Sequence, residues 1–510
     1  MRPLGHTLLL AFVPSVLAAQ SVSTLRSIGS LAEDRERLAQ LTGASTAESL
    51  LRDGARVDSA TPGLRWLLPE MNFTWNGALA TSLNDGALWA GRGANVLTRG
   101  GATYGWRRVR LTLAPELAAS QNAPVEVLAS TMPGRSRWAS PWRTAATGQA
   151  DLPLRFGDAS LVTLHTGQSA LSAQWDKVAV GISSGNLWWG PGLRNALVLS
   201  NQAAGIPHAF VRTPRPLHSR YGDFEGRLII GGLTESLYFD TIPGNDNRAV
   251  SGLALTFAPR RVRGLTVGLA RLVIAPVGGA GDVAGHMADA LTTWNGGDSR
   301  DQLSSLFFRW VAPESGFEFW AEWAKSRLPT LRELLTAPNA DQAWTTGLQW
   351  ALPRDDGALR FQLEFSDLAQ SQVFANRAPR DYYTGHAAIQ GFTQRGQVLG
   401  AASGPGGTNG WLAADRIFDT WSVGGFFART RWENDAFYRS RIPNSFGHDV
   451  SLFSGVRASR RGKAWDTQGA LTFERRVNYL FESSFTQPLQ RGQRNVSSWR
   501  LEFSVAPRRR

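Results

Sequence analysis

Two adjacent tryptophans, Trp188 and Trp189, stand directly before Gly190-Pro191-Gly192, and Arg194, Asn195 and Asn201 follow closely. Large indole planes on a tightly turned backbone, with guanidinium and amide donors nearby, suit a polyhydroxylated ligand. The C–H faces of its rings would stack on indole while its hydroxyls meet planar donors. A second stretch runs from Gly391 through Phe392, Thr393, Gln394, Arg395, Gly396, Gln397, Val398 and Leu399 to Gly400, with Gly404-Pro405-Gly406-Gly407 after it. Thr393, Arg395 and Gln397 carry the same chemistry, and an arginine can also pair with a sugar carboxylate through two parallel hydrogen bonds. A plainer reading is open for both stretches. The tryptophans then pack an interior, and Gly190, Pro191, Gly192, Gly391, Gly396 and Gly400 make tight turns.

Other constellations carry less. The seven histidines show no ligand spacing and no acidic partners, and cysteine is absent, so no metal site and no cofactor are expected. Asn245-Asp246-Asn247 has calcium-ligand atoms but reads better as a polar turn. His448-Asp449 followed by Ser451 has the residue types of a hydrolase, yet adjacent strand residues point to opposite faces and cannot cooperate. No nucleophile, base and orienting group share a face, so the chain is not expected to be an enzyme.

The elements that must position these residues are mostly strands. Leu359, Phe361, Leu363 and Phe365 alternate with Arg360, Gln362, Glu364 and Ser366. Trp499, Leu501, Phe503 and Val505 alternate with Arg500, Glu502 and Ser504, and the stretches around Val109 and Trp344 behave alike. Strands with lipid on one face and a polar lumen on the other read this way. Roughly sixteen to twenty such segments are present, each near the ~9–11 residues that cross a membrane at a tilt. Of the twenty tryptophans, Trp310, Trp320, Trp323, Trp344, Trp350, Trp421, Trp432, Trp465 and Trp499 fall near strand ends, where indoles favour the membrane–water boundary. The fold class expected is all-β, a large antiparallel transmembrane β-barrel with a short N-terminal α-helical segment. The helices are signalled by capping boxes at Ser30-Leu31-Ala32-Glu33 and Ser45-Thr46-Ala47-Glu48. Leu31, Leu38 and Leu41 share one helical face, and Leu50 and Leu51 follow the second box. Both helices are too short to stand alone and must dock, most simply at the periplasmic mouth.

Export follows from the start of the chain. Arg2, the apolar run Leu8 to Val13 and the small residues Ala18 and Ala19 have the layout of a cleaved signal peptide. The expected division is 1–19 signal peptide, 20–100 N-terminal helical and periplasmic segment, 101–506 outer-membrane barrel and 507–510 basic tail. The last strand stops before Ala506-Pro507-Arg508-Arg509-Arg510, where many bacterial barrels end on an aromatic residue. The net charge of +13 is almost wholly arginine, since the lysines are Lys177, Lys325 and Lys463. In an exported chain that charge suits lipopolysaccharide phosphates, outer-membrane lipid or an acidic polysaccharide, or else an arginine-rich lumen. Export argues against nucleic acid.

The run W-W-G-P-G at 188–192, continuing through Leu197-Val198-Leu199-Ser200-Asn201 to Ile206-Pro207, resembles the Wzi family of capsule-assembly proteins. The segment from Gly391 to Gly407 is similar to that family's G-[YF]-T-x-R-G-x-x-L-G…G-P-G stretch, with Phe392 at the aromatic position. The resemblance implies a monomeric barrel of about eighteen strands with an N-terminal helical element at its periplasmic end. It also implies a lectin-like role, holding capsular or extracellular polysaccharide at the surface of a Gram-negative-type bacterium. Trp188, Trp189, Arg194, Asn195, Asn201, Thr393, Arg395 and Gln397 are the expected contacts. A porin or transporter is the alternative, and it would require an open, water-filled lumen.

Overall fold

The computed structural model describes residues 22–45, 50–58, 61–145, 148–293, 299–326, 328–336, 338, 340–370, 381–439, 447–481 and 494–508. The expected signal peptide, most of the second capping box and the final two arginines lie outside these residues.

Alternation translates directly into the wall. Along 357–367, Phe361, Leu363 and Phe365 are 37%, 43% and 40% exposed, whereas Arg360 is 5% exposed and Glu364 and Ser366 are 0%. A soluble sandwich buries the apolar parity, and this wall buries the polar one. Only a surrounding of lipid makes that stable. Among the described residues no helix is long and apolar enough to cross a membrane, so the crossing is made by strands.

The strands are β1 (Gly63–Asn76), β2 (Gly93–Trp106), β3 (Val109–Leu113 and Glu116–Ser120), β4 (Leu161–His165 and Ala170–Gln174), β5 (Ala179–Ser183) and β6 (His208–Arg212). Then follow β7 (Gly222–Thr234), β8 (Asn247–Pro259), β9 (Leu265–Pro276), β10 (Asp301–Ala312), β11 (Phe317–Lys325) and β12 (Gln342–Arg354). The wall ends with β13 (Gly357–Asp367), β14 (Thr408–Phe418), β15 (Trp421–Arg431), β16 (Val450–Arg461), β17 (Trp465–Val477) and β18 (Val496–Pro507). Each pairs antiparallel with its neighbour, and β18 closes on β1 with Arg500 opposite Asn76, giving a sealed barrel of 18 strands. Closure leaves no unpaired edge in lipid. The barrel begins at Gly63, well before the boundary expected at residue 101. Trp66-Leu67-Leu68-Pro69 disguises β1, because consecutive apolar residues and a proline interrupt the alternation where the register shifts between Leu67 and Glu70.

One end of the barrel carries short turns, such as Ala312 to Phe317 and Phe418 to Trp421, and the other carries long loops. In outer-membrane barrels short turns face the periplasm. The helix α1 (Leu31–Leu41) sits inside the short-turn mouth. Its start is capped as the sequence predicts: the Glu33 amide donates to Ser30 Oγ at 3.3 Å, and Gly29 N–H donates to the Glu33 carboxylate at 2.6 Å. Leu38 and Leu41 pack on Val311, Ala351 and Ile417 at the lumenal ends of β10, β12 and β14. Each buried leucine contributes roughly 1.5–3 kcal/mol. Ionic contacts complete the docking, with Arg37 on Glu318 at 2.8 Å and Arg360 on Asp34 at 2.7 Å. Leu51, expected to follow a second helix start, instead opens a short lumenal strand, Leu51–Asp53.

The aromatic girdle is mostly as expected. Trp310, Trp350, Trp421, Trp465 and Trp499 face outward and are exposed. Trp320 is a correction: it shares parity with Glu318 and Glu322, points into the lumen, and carries Arg37 over its ring at 4.8 Å.

Candidate functional site

The chain leaves the wall at Ser183 and returns at His208, and the intervening residues fold inward. Leu187–Trp189 pairs antiparallel with Leu51–Asp53, and Gly190 N–H donates to the Leu50 carbonyl at 3.0 Å. The turn that follows wraps a carboxylate of the wall: Glu364 accepts from the amides of Leu193, Arg194 and Asn195 at 2.6, 3.1 and 2.8 Å. Glu322 similarly accepts from the Leu197 amide at 3.1 Å. A Cβ at position 192 would lie 1.8 Å from the Asn195 carbonyl oxygen, so Gly192 is fixed by space.

The second stretch also lies in the lumen. Thr393–Gln394 pairs with Gln397–Val398 around Arg395-Gly396, whose φ values of +50° and +85° match the two-residue hairpin turn that favours glycine. The two stretches meet. Ser200 N–H donates to the Leu399 carbonyl at 2.8 Å, Ser200 Oγ to the Gly400 carbonyl at 2.6 Å, and Gln397 Nε2 to the Gln202 carbonyl at 3.2 Å. The Tyr383 hydroxyl donates to the Leu197 carbonyl at 2.8 Å and accepts from Ala401 N–H at 2.7 Å. Burial pushes the Tyr383 hydroxyl well above the usual tyrosine range, which keeps it protonated as a donor. With Leu197, Val198, Leu199, Phe392 and Val398, these residues form an apolar plug against Ile229, Val250, Leu272 and Leu303 of the wall.

The plug divides the eight expected contacts. Trp189, Asn195, Thr393 and Gln397 lie inside it, with Trp189 and Thr393 fully buried. Trp189 packs above Gly252, and Thr393 accepts from Arg248 at 3.3 Å. Trp188, Arg194 and Asn201 line a cavity of about 380 Å³ between the plug and α1. Arg395 stands on the opposite side, exposed near Thr234, and donates to His165 Nδ1 at 2.9 Å.

In the cavity guanidinium and indole planes alternate. Arg52 lies 4.3 Å over Trp188, while Arg194 and Arg457 lie 5.6 and 5.1 Å from the Trp411 ring centre. Arg457 is neutralised by Asp415 at 2.6 Å, but Arg194 forms no ion pair among the described residues. Among the described residues the buried Trp188 Nε1–H has no hydrogen-bond partner. Such a cavity can take a carboxylate beside a ring. Trp411, Arg52 and Arg457 were not anticipated. Trp411 could have been, because it shares the inward parity of Asp415, where an aromatic is out of place for a lipid-facing residue.

A second cavity of about 550 Å³ lies beside α1, lined by Arg26, Arg56, Asp53, Glu225 and Arg309 among others. Burial alone would raise the Asp53 carboxyl, but Arg227, Arg212 and Arg56 together hold it at about 2. Arg227 donates to it at 2.6 Å.

The weaker constellations come apart. Asp449 pairs with Arg476 at 2.7 Å, Ser451 donates to Glu474 at 2.6 Å, and His448 lies against Phe437. Among the described residues no group of three or more histidine and acidic side chains could hold a metal ion.

The sequence profile of the capsule assembly protein Wzi family matches residues 80–423, which takes in both plug stretches. No curated protein matches the chain by sequence. Among solved structures the chain is similar to Wzi of Escherichia coli, described as an outer membrane protein involved in group 1 capsule assembly and a carbohydrate-binding β-barrel. Identity is 12%, the TM-score is 0.55, and 86% of this chain and 84% of that one are covered. The outer membrane protein OprD of Pseudomonas aeruginosa is similar at 11% identity and a TM-score of 0.40, over 90% of this chain and 97% of that one. At these identities the likeness speaks to fold alone.

Proposed function

This chain belongs to the capsule assembly protein Wzi family, and from that premise we propose that it binds acidic capsular or extracellular polysaccharide at the outer membrane as a closed, lectin-like barrel. One observation carries the reading: among the described residues each plug stretch presents a guanidinium with no carboxylate within ion-pair distance, Arg194 into the cavity and Arg395 toward the long-loop side. A carboxylate on a sugar ring is the ligand that two such groups fit, because a guanidinium grips it through paired hydrogen bonds. The solved Wzi structure is described as carbohydrate-binding, which agrees with that choice. Arg395 is the contact open to polymer outside the cell. Trp188, Arg194 and Asn201 form an inner subsite, and Trp189, Asn195, Thr393 and Gln397 act by holding the plug. Catalysis has no place in this reading, and neither does bulk conduction, since apolar side chains fill the lumen between the plug and the wall.

The test uses cells lacking the native protein, supplied with the full chain or its variants. Arg395→Ala should reduce polymer retention roughly tenfold while the barrel still migrates differently when heated. Arg194→Ala should weaken binding of an acidic oligosaccharide by purified protein to a similar degree. Normal retention and binding by both well-folded variants would remove the plug from the binding site. Large single-channel conductance from the wild type would favour a porin instead.

A further inference from the structure

The turn joining β8 to β9 has the sequence Arg260-Arg261-Val262-Arg263-Gly264, and it lies against the turn that leads into β7. Arg260 N–H donates to the Tyr221 carbonyl at 2.9 Å, which locks the two turns together. Arg220, at the tip of the neighbouring turn, lies over its own neighbour Tyr221 at 4.5 Å. Four exposed arginines, at 220, 260, 261 and 263, therefore gather on one short arc of the short-turn rim. Among the described residues none of them forms an ion pair.

Their surroundings point to a ligand. Exposed lipid-facing Phe224 stacks on Phe257 at 4.5 Å on the wall directly beside them, and Trp310 pairs opposite Leu265 at the start of β9. Val262, in the middle of the arginines, is 47% exposed. Positive charge set on the outer rim, at the edge of an aromatic band, meets headgroups rather than anything in the lumen. Headgroups at the short-turn end are those of the periplasmic leaflet, so the relevant anions are phosphodiesters of phospholipid.

We propose that Arg220, Arg260, Arg261 and Arg263 form a binding site for an anionic phospholipid of the inner leaflet, best matched by one carrying two phosphodiester groups. Two phosphates can each engage a pair of guanidiniums, while the acyl chains lie along Phe224 and Phe257. The site is independent of the plug and of polysaccharide binding.

The full chain would be placed in nanodiscs of zwitterionic phosphatidylcholine containing a small fraction of cardiolipin, and co-purifying lipid measured by native mass spectrometry. Wild type should enrich cardiolipin, and Arg260→Ser/Arg261→Ser/Arg263→Ser should lower that enrichment at least tenfold, as expected if each arginine is worth about fivefold. Arg107→Ser/Arg108→Ser, on a different turn of the same rim, should change it less than twofold. Should the triple variant fold poorly, Arg261→Ser at the turn tip alone should still lower enrichment about fivefold. Absence of enrichment in wild type would overturn the site. So would equal losses from both turns, which would mean diffuse rim charge, or full competition by millimolar inorganic pyrophosphate, which would mean a free-anion site.

Discussion

Two elements occupy the lumen, and they are held by different physics. At the long-loop end the plug is held by apolar packing, glycine-tight contacts and amides wrapped around Glu322 and Glu364. At the short-turn end α1 is held largely by ion pairs, Arg37 with Glu318 and Asp34 with Arg360, over a small leucine patch. Packing of the first kind is brittle to shape and depends on charge only at its buried carboxylate anchors. Docking of the second kind tolerates shape and depends on both charges being present, since a buried charge left alone is costly. A shape-sensitive element therefore lies toward the long loops and a charge-dependent one at the short-turn end.

The strongest test of that contrast adds volume to the plug. Gly192→Val would drive its side chain into the Asn195 carbonyl and should cost on the order of 4 kcal/mol or more. The expected outcome is a barrel with a protease-sensitive plug and raised single-channel conductance. A quiet, protected barrel would mean that the plug adapts its shape and the contrast is false.

A smaller effect is expected from the helix. Arg37→Ala removes one of the groups on Glu318, which keeps Arg309 at 2.7 Å and Gln349 at 2.6 Å. Releasing α1 should become easier by roughly 3 kcal/mol, or about a hundredfold in amide exchange over residues 31–41. Exchange in the plug should change little, because apart from one bond to Pro191 its anchors are separate. Equal acceleration in both regions would show that one element supports the other, through the bond from Arg37 to the Pro191 carbonyl at 2.8 Å.

The smallest effect sharpens the comparison through pH. Asp53, on the lumenal strand that follows α1 and pairs with the plug, is held at about 2 by Arg227, Arg212 and Arg56 against the cost of burial. Its folded pKa lies below the unfolded one. Its contribution is therefore present above roughly pH 4 and is lost as pH falls toward 2. Glu235 accepts from Gln390, just before the second plug stretch, at 2.5 Å, and burial and then the nearby Asp240, Asp151 and Asp246 push its carboxyl up to about 7. Here the sign reverses: the contribution is full below roughly pH 4 and is lost as pH rises through about 7. Limited proteolysis across pH should find the short strand at Leu51–Asp53 loosening only in acid and the Gln390 region loosening as pH rises from roughly 4 through about 7. The same direction at both sites would break the distinction.

Much of the wall was legible beforehand because its rule is local. In β13 each residue's parity alone assigns Phe361, Leu363 and Phe365 to lipid and Arg360, Gln362 and Glu364 to the lumen. The Ser30–Glu33 capping box was legible for the same reason, since its partners are within a turn. β1 was not, because Pro69 and a bulge break the period on which the reading depends. Trp320 and Trp411 look like girdle residues by type, and only their parity with acidic neighbours turns them inward.

By itself, then, the sequence determined a barrel, an N-terminal helix and two glycine-rich stretches within the span that the family profile matches. Tertiary structure alone decided what those stretches do for each other. Trp188 and Trp189 are adjacent and chemically alike, yet one lines a cavity under Arg52 and the other is sealed against Gly252. Arg194 and Arg395 likewise end on opposite sides of one plug. The physical reason is that a lumenal segment satisfies its backbone with whatever the closed wall brings to it. For residues 187–201 those partners are Leu51–Asp53, Glu322, Glu364 and Leu399, all distant in the chain and brought near only when β18 meets β1.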